Sequence, residues 1–212
     1  MAALSKERRS FLTRSTLQYM KHLGDAAEWL GDRGIDLEHA RQEGLGVVRN
    51  PEVVHDYLEG RLAIPYLTDA GPVGMSFRCL KSHRCKEVGC KKYRKEKGSD
   101  SLLYGVQAMS WADEWIAVAE GELDSMVLRQ IGIPAVGVPG AENWKPHWKN
   151  VFEDFSRVYV FTDGDTAGDD LFESFRSGLD IAVVKVAMPD GEDVNSMFMK
   201  SGADWLISKI KK

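Results

Sequence analysis

No stretch of this 212-residue chain approaches the length of apolar run that would cross a membrane. Its opening, Met-Ala-Ala-Leu-Ser-Lys-Glu-Arg-Arg, is charged where a secretory signal would be apolar. A cytoplasmic location is therefore expected. Cysteine is scarce, and its three copies are an odd number, which argues against a disulfide framework. Internal repeats and low-complexity tracts are absent, and so is the Gly-x-x-x-x-Gly-Lys-Ser/Thr loop that cradles nucleotide phosphates. Net positive charge is missing too, since the chain carries a formal charge of −4. What remains is an ordinary globular composition, 43% hydrophobic and 28% charged, in a chain long enough for one large domain or two small ones.

The negative total conceals an uneven map. Residues 78–97 hold nine basic side chains (Arg78, Lys81, Arg84, Lys86, Lys91, Lys92, Arg94, Lys95 and Lys97) against only Glu87 and Glu96. From Ser110 onward there are 18 acids against 10 bases. A basic segment beside an acidic one suits a protein that holds a polyanion near a cation cluster, although a solvated basic loop would read the same way.

Along the chain, residues 11–42 read as helical, with a break near Gly24-Asp25, a turn at residues 33–36, and Asp36 placed to cap a third short helix. Two strands follow, over residues 61–67 and 73–78, and Thr68-Asp-Ala-Gly between them reads as a hairpin. Then the pattern changes. Apolar strands at residues 115–119, 135–138, 158–162 and 181–186 alternate with helical spacing at 123–131, 146–155 and 167–179, and helices resume from Val194 and Ala203. Such alternation predicts a parallel sheet covered on both faces. The expected organisation is a small α+β subdomain over residues 1–108, carrying the basic Cys/His loop at 78–97, and an α/β domain over residues 109–212.

The carboxylates fall where strands end. Glu120 follows the first strand of the second region, with Glu122 and Asp124 close behind; Asp163 and Asp165 follow the third; Asp190, Glu192 and Asp193 follow the fourth. In a parallel sheet these ends share one edge, the edge at which open α/β folds bind ligands. Acids gathered there repel one another, and a hard divalent cation resolves the repulsion. In Asp163-Gly-Asp165 two acids flank a glycine, so one turn can aim both at a single ion, and the helix opened by Ala167-Gly168 offers amides to a phosphate. Taken singly, each acid could instead be a helix cap or an ordinary loop residue.

All three cysteines lie in the basic segment, and Cys79-x3-His83-x-Cys85-x4-Cys90 supplies four ligands within twelve residues, enough for a tetrahedral zinc site. The spacing matches no standard finger. Three unliganded thiols would be the plainer reading, but a lysine-rich loop is a poor place to bury them.

Several of these segments resemble a known family. Glu120-Gly-Glu-Leu-Asp124 after an apolar strand is similar to the Glu-Gly-x-x-Asp motif of TOPRIM domains, and Phe161-Thr-Asp-Gly-Asp-Thr-Ala-Gly168 to their Asp-x-Asp motif in its primase form. Pro189-Asp-Gly-Glu-Asp-Val-Asn195 resembles the Pro-Asp-Gly-x-Asp-Pro-Asp segment of DnaG-type primases, with Val194 and Asn195 departing from it. Upstream, Trp29-Leu-Gly-Asp-Arg-Gly-Ile35, Gly60-Arg-Leu-Ala-Ile-Pro65, Val73-Gly-Met-Ser-Phe-Arg78 and Lys92-Tyr93 resemble short motifs of the same catalytic core. The cysteine loop departs from that family.

The resemblance implies a TOPRIM domain, a parallel sheet flanked by helices, preceded by a small α+β primase-like subdomain. It implies Mg2+ or Mn2+ held by Glu120, Asp163 and Asp165, with Asp124, Asp190 and Asp193 in support. Arg61, Arg78, Lys91 and Lys92 would face nucleic acid or nucleotide. The implied activity is synthesis of short RNA primers from ribonucleoside triphosphates on single-stranded DNA by two-metal phosphoryl transfer, with a helicase acting in trans. A TOPRIM nuclease and a non-catalytic single-strand-binding adaptor remain open alternatives, as does an acid–base role for Glu120. The small size suits a phage or mobile-element protein.

Overall fold

A computed structural model describes residues 4–96, 101–139 and 144–210. Lys97 and the first three residues, which the readings above use, lie outside the described residues. The chain divides into two compact units, Met1–Asp100 and Ser101–Lys212. Leu103 to Val106, assigned above to the first region, pack in the second unit, because Leu103 is buried in its core and Tyr104 bridges to Gly137.

The first unit opens with helix α1, Lys6–Met20, which begins five residues before the helical reading does because Ser5 caps it, accepting the Arg8 amide at 3.1 Å. Its buried positions, Leu12, Ser15, Thr16 and Tyr19, are spaced three and four apart and form one stripe. A 3-10 turn, Leu23–Ala26, leads into the short helix α2, Ala27–Gly31. Helix α3, Leu37–Gln42, starts at Asp36 as expected, whose carboxylate accepts the His39 amide at 2.7 Å.

Strands β1 (Gly46–Val47), β2 (Leu62–Thr68), β3 (Gly71–Arg78) and β4 (Tyr93–Lys95) form an antiparallel sheet in that order. The hairpin of β2 and β3 is the one read from the sequence, with a register shift at Tyr66/Leu67. Strands β1 and β4 are additions, too short to leave a period in the sequence.

α1 packs across β1, β2 and β3, and Leu12, Tyr19, Val48, Leu58, Ala63, Met75 and Phe77 form a core there. Inside it runs a polar chain. The Tyr19 hydroxyl meets His55 Nδ1 at 2.9 Å, His55 Nε2 meets Glu96 at 2.9 Å, and Arg8 pairs with Glu96. Burial pushes the Tyr19 hydroxyl up to about 12. The His55 ring lies edge-on to Phe11 and Phe77, at 5.1 and 5.0 Å.

The second unit is a parallel sheet in the order β6-β5-β7-β8, built from β5 (Trp115–Ala119), β6 (Ala135–Gly137), β7 (Arg157–Thr162) and β8 (Ala182–Ala187). Helices α4 (Glu122–Gln130), α5 (Lys149–Phe152), α6 (Thr166–Gly178) and α7 (Val194–Ser208) connect and cover it. On one face Ile116, Val118, Val136, Val158 and Val160 pack with Trp148, Phe152, Leu171 and Phe175. The alternate residues Ala117, Ala119, Tyr159 and Phe161 point the other way and are also buried.

The helical stretches read from Val194 and Ala203 both form within α7, separated at Gly202, whose φ of 77° and ψ of 178° are not helical. Two expectations are adjusted. The helix read over 146–155 is a 3-10 turn, Pro146–Trp148, running into the single turn of α5. Strand β8 is an edge strand with much of its surface exposed, where the apolar reading expects cover on both faces. Among the described residues no helix is long and apolar enough to cross a membrane.

The contact between α1 and β1 leaves no room for a side chain on Gly46, since a Cβ there would lie 2.1 Å from the Tyr19 carbonyl carbon. Gly46→Ala should therefore destabilise the first unit by about 1–3 kcal/mol, as overpacking does elsewhere. Urea melts of the variant that superimpose on those of the parent would show that α1 is not seated this closely.

Candidate active site

β5 lies between β6 and β7, and the chain runs from β5 outward to β6 but from β7 outward to β8 on the opposite side, so the crevice at the C-terminal ends of β5 and β7 is a topological switch point. The register Ala119↔Phe161 sets these ends side by side. Glu120 leaves one of them, and Thr162 and Asp163 leave the other. Sequence logic placed the acids at a rim; sheet order selects the two strands that bring them together.

Glu120 is half-buried, and its Oε1 is enclosed with no hydrogen-bond partner among the described residues. Burial, then the charge and hydrogen bond of Asp163, then the charges of Asp165 and Asp124, raise its carboxyl to about 8. Asp124, one turn into α4, also rises to about 8, through burial first and then the charges of Asp193 and Asp163. The Asn195 amide, 3.4 Å from Asp124 Oδ1, opposes that rise and ties the start of α4 to the start of α7.

Asp165 is exposed and caps α6, accepting the Gly168 amide at 3.1 Å. Asp193 caps α7 in a reciprocal box with Ser196. Capping, which would explain either acid alone, thus coexists with membership of the cluster. Thr162 was not singled out from the sequence. Its Oγ1 is buried without a partner among the described residues, and a polar residue ending an apolar strand was the available signal.

The loops are fastened by backbone. The Gly164 amide donates to Glu192 O at 3.0 Å, the Gly191 amide to Gly164 O at 3.2 Å, and the Met188 amide to Thr162 O at 3.0 Å. A Cβ on Gly164 would fall 2.0 Å from the Pro189 carbonyl oxygen, so the Asp-Gly-Asp turn closes against the next acidic loop only with glycine. Asp190 is exposed, and its charge is not among those raising Glu120 and Asp124. Glu192 pairs with Lys200, which lowers its carboxyl.

The donor set fits a hard cation. Several carboxylates converge, burial and the neighbouring negative charges push two of them up to about 8, and one buried oxygen lacks a donor.

In the first unit, Cys79, His83, Cys85 and Cys90 come together between the end of β3 and the start of β4, with their ligand atoms all within 4.8 Å of one another. The three thiols are free. Cys90 is drawn down to about 6, chiefly by its hydrogen bond with His83, while burial raises Cys85. Of the basic candidates, Lys91 and Lys92 expose their side chains. Arg78 lies over the rings of Trp29 and Tyr93, at 5.3 and 5.1 Å. Arg61 differs, being buried with its guanidinium turned into the cysteine loop.

Residues 117–198 match the Toprim-like family. The gene 57 protein of Mycobacterium phage D29 is 36% identical over 151 residues, spanning 71% of this chain and 98% of that one. In fold, the chain is similar to the zinc-binding and RNA polymerase domains of the Aquifex aeolicus primase, with a TM-score of 0.79, 21% identity, and coverage of 97% of this chain and 61% of that one. It is likewise similar to a DnaG primase catalytic domain bound to single-stranded DNA, with a TM-score of 0.74, 20% identity and coverage of 95% and 77%.

The crowded carboxylates make a prediction about pH. Glu120 and Asp124 hold protons in the fold up to about 8, whereas ordinary carboxyls of their kinds release them at 4.5 and 3.8. The folded state thus binds more protons than the unfolded one across this window, so stability should fall as pH rises from about 5 to about 9 without divalent ions. Mg2+ should remove much of that fall, and Glu120→Gln should flatten it in the absence of metal. Thermal melts in chelator that show no difference in pH slope between Glu120→Gln and the parent would contradict the crowding.

Proposed function

Because the chain belongs to the TOPRIM family and has the fold of primase catalytic cores, we propose that it is a DNA primase, joining ribonucleotides into short RNA primers on single-stranded DNA. The observation that carries this reading is the meeting of Glu120, Asp163 and Asp165 at the β5/β7 switch point, with a buried Glu120 oxygen left without a donor. Glu120, Asp163 and Asp165 would hold two Mg2+ or Mn2+ ions, supported by Asp124 and Asp193, with exposed Asp190 reaching an ion only through water. Ions bound there supply the positive charge that neutralises a triphosphate and acidifies a 3′-hydroxyl.

The remaining work falls to the chain itself. The Asp-Gly-Asp turn, locked against residues 189–192, holds Asp163 and Asp165 at fixed separation, and this preorganisation is what a phosphoryl-transfer site requires of its protein. α6 begins at Thr166, just past the C-terminal end of β7, and those of its first amides that Asp165 does not take suit a phosphate. In the first unit, Arg78, Lys91 and Lys92 would take template phosphates. Arg61 has two of its donors committed to Lys91 O and Cys90, which leaves it a supporting part in the loop. Ribonucleoside triphosphates are the second substrate, and a helicase would open the duplex in trans.

Labelled single-stranded template, ribonucleotides and Mg2+ or Mn2+ test the reading directly. Short, template-dependent, ribonucleotide-containing products are expected. DNA shortening without nucleotides would replace the proposal with a nuclease, and binding without turnover would replace it with an adaptor. Asp163→Asn and Asp165→Asn should each lower turnover by at least about 100-fold, beyond the usual effect of losing a partner behind a metal ligand, while the circular dichroism spectrum stays unchanged.

Binding to single-stranded DNA should weaken steeply with salt, each phosphate contact contributing a log–log slope of about −0.7. Replacing Lys91 and Lys92 by alanine should make the slope shallower by about 1.4 and weaken all sequences alike. An unchanged slope would place the strand elsewhere.

A further inference from the structure

The connection between β3 and β4 has no apolar core of its own, yet it is tightly organised. Cys79 extends β3, and its amide donates to Lys92 O at 3.0 Å. The Cys90 amide donates to Cys85 O at 2.8 Å, closing the turn between the second and third cysteines. Exposed Lys81, Arg84, Lys86, Lys91 and Lys92 surround it, and of these Arg84 is paired with Glu87. Thiols gain little by burial in such a loop. What they gain is one another and His83.

Their spacing is that of a coordination polyhedron. A tetrahedral zinc with bonds of about 2.3 Å to sulfur and about 2.0–2.1 Å to nitrogen has edges of about 3.8 Å between sulfurs and about 3.6 Å between sulfur and nitrogen. Here Cys79 Sγ is 3.6 Å from Cys90 Sγ and 3.7 Å from His83 Nε2. Cys85 completes the set within the common 4.8 Å limit. Three thiolates, one imidazole and Zn2+ carry a net charge of −1, which requires a cation nearby. Buried Arg61 provides it, donating from Nη2 to Cys90 Sγ at 3.3 Å and from Nη1 to Lys91 O at 3.0 Å.

We infer that Cys79, His83, Cys85 and Cys90 form a structural zinc centre, with Arg61 as the positioning residue that neutralises it from the second layer. The soft sulfur-rich donor set selects zinc over the hard cations suited to the acidic crevice of the other unit. The centre closes the lysine-bearing loop onto the end of β3, taking the place of a core. The inference stands whether or not the chain is a primase.

Intact protein purified without chelator should carry zinc at one equivalent per chain. Its cobalt-exchanged form should show the intense visible bands of a tetrahedral, thiolate-rich site. Cys85→Ser should lose the metal. Since that variant could also misfold, Arg61→Gln supplies an independent reading. It should keep zinc but bind it about 10–100-fold more weakly in competition with a chromophoric chelator, and Arg61→Lys should recover part of the loss. Zinc removal should also open the lysines of residues 81–92 to trypsin. Metal-free protein whose three thiols react equally with and without added zinc would overturn the centre. Unchanged zinc affinity in Arg61→Gln would overturn the role of Arg61.

Discussion

Repulsion among carboxylates at the ends of β5 and β7 is the constraint that the second unit is organised to withstand. Burial first, and then the charges of Asp163, Asp165 and Asp193 with their own, hold Glu120 and Asp124 at about 8. Nothing in the apolar core beneath them relieves this. Ala117 and Ala119 fill β5, and Val158, Val160 and Phe161 fill β7, none with a compensating charge. The acids keep their places because the backbone leaves them little choice. Amides staple the loop after β7 to the loop after β8, Asp165 and Asp193 are committed as caps, and α4 is tied to α7 through Asp124. Local stability is given up at the crevice and recovered in the sheet, the usual arrangement at a site that handles charge.

The first unit solves a different problem. Its core encloses Tyr19, His55 and Glu96, which would be costly unless each polar atom were matched. The chain of hydrogen bonds from Tyr19 through His55 to Glu96, closed by Arg8, supplies those matches and joins α1 to the strand side of the unit. Beyond β3 the apolar supply is exhausted, and there four clustered ligand residues stand where packed side chains would be.

Much of the second unit was legible because its signals are local. Short apolar runs mark β5 to β8, and a carboxylate directly after β5 and β7, with Asp190 three residues past β8, marks the rim. β1 and β4, two and three residues long, could not be read, because so short a strand has no period and exists through its neighbour. The single turn of α5 was overread because Pro146 and the following apolar residues mimic a longer helix. The Tyr19–His55–Glu96 chain joins residues 36 and 41 positions apart, a separation at which no local pattern operates. The site itself was half legible. Sequence could gather the acids but could not rank them, so Asp190, which is exposed, stood level with Asp193, whose charge acts on Asp124. Arg61 was grouped with the surface cations because burial of a charge is set by its surroundings and not by its own residue type.

The fit of Gly164 against Pro189 bears on how such a site can evolve. The acids around the crevice differ in exposure and in bonding, so exchanges among them can grade how firmly cations are held. Position 164 offers no gradation. Any side chain there meets a carbonyl oxygen belonging to the neighbouring acidic loop. Drift can thus retune the chemistry of this rim by altering its charges one at a time, but the turn that presents two of them is closed to exploration unless both loops change together.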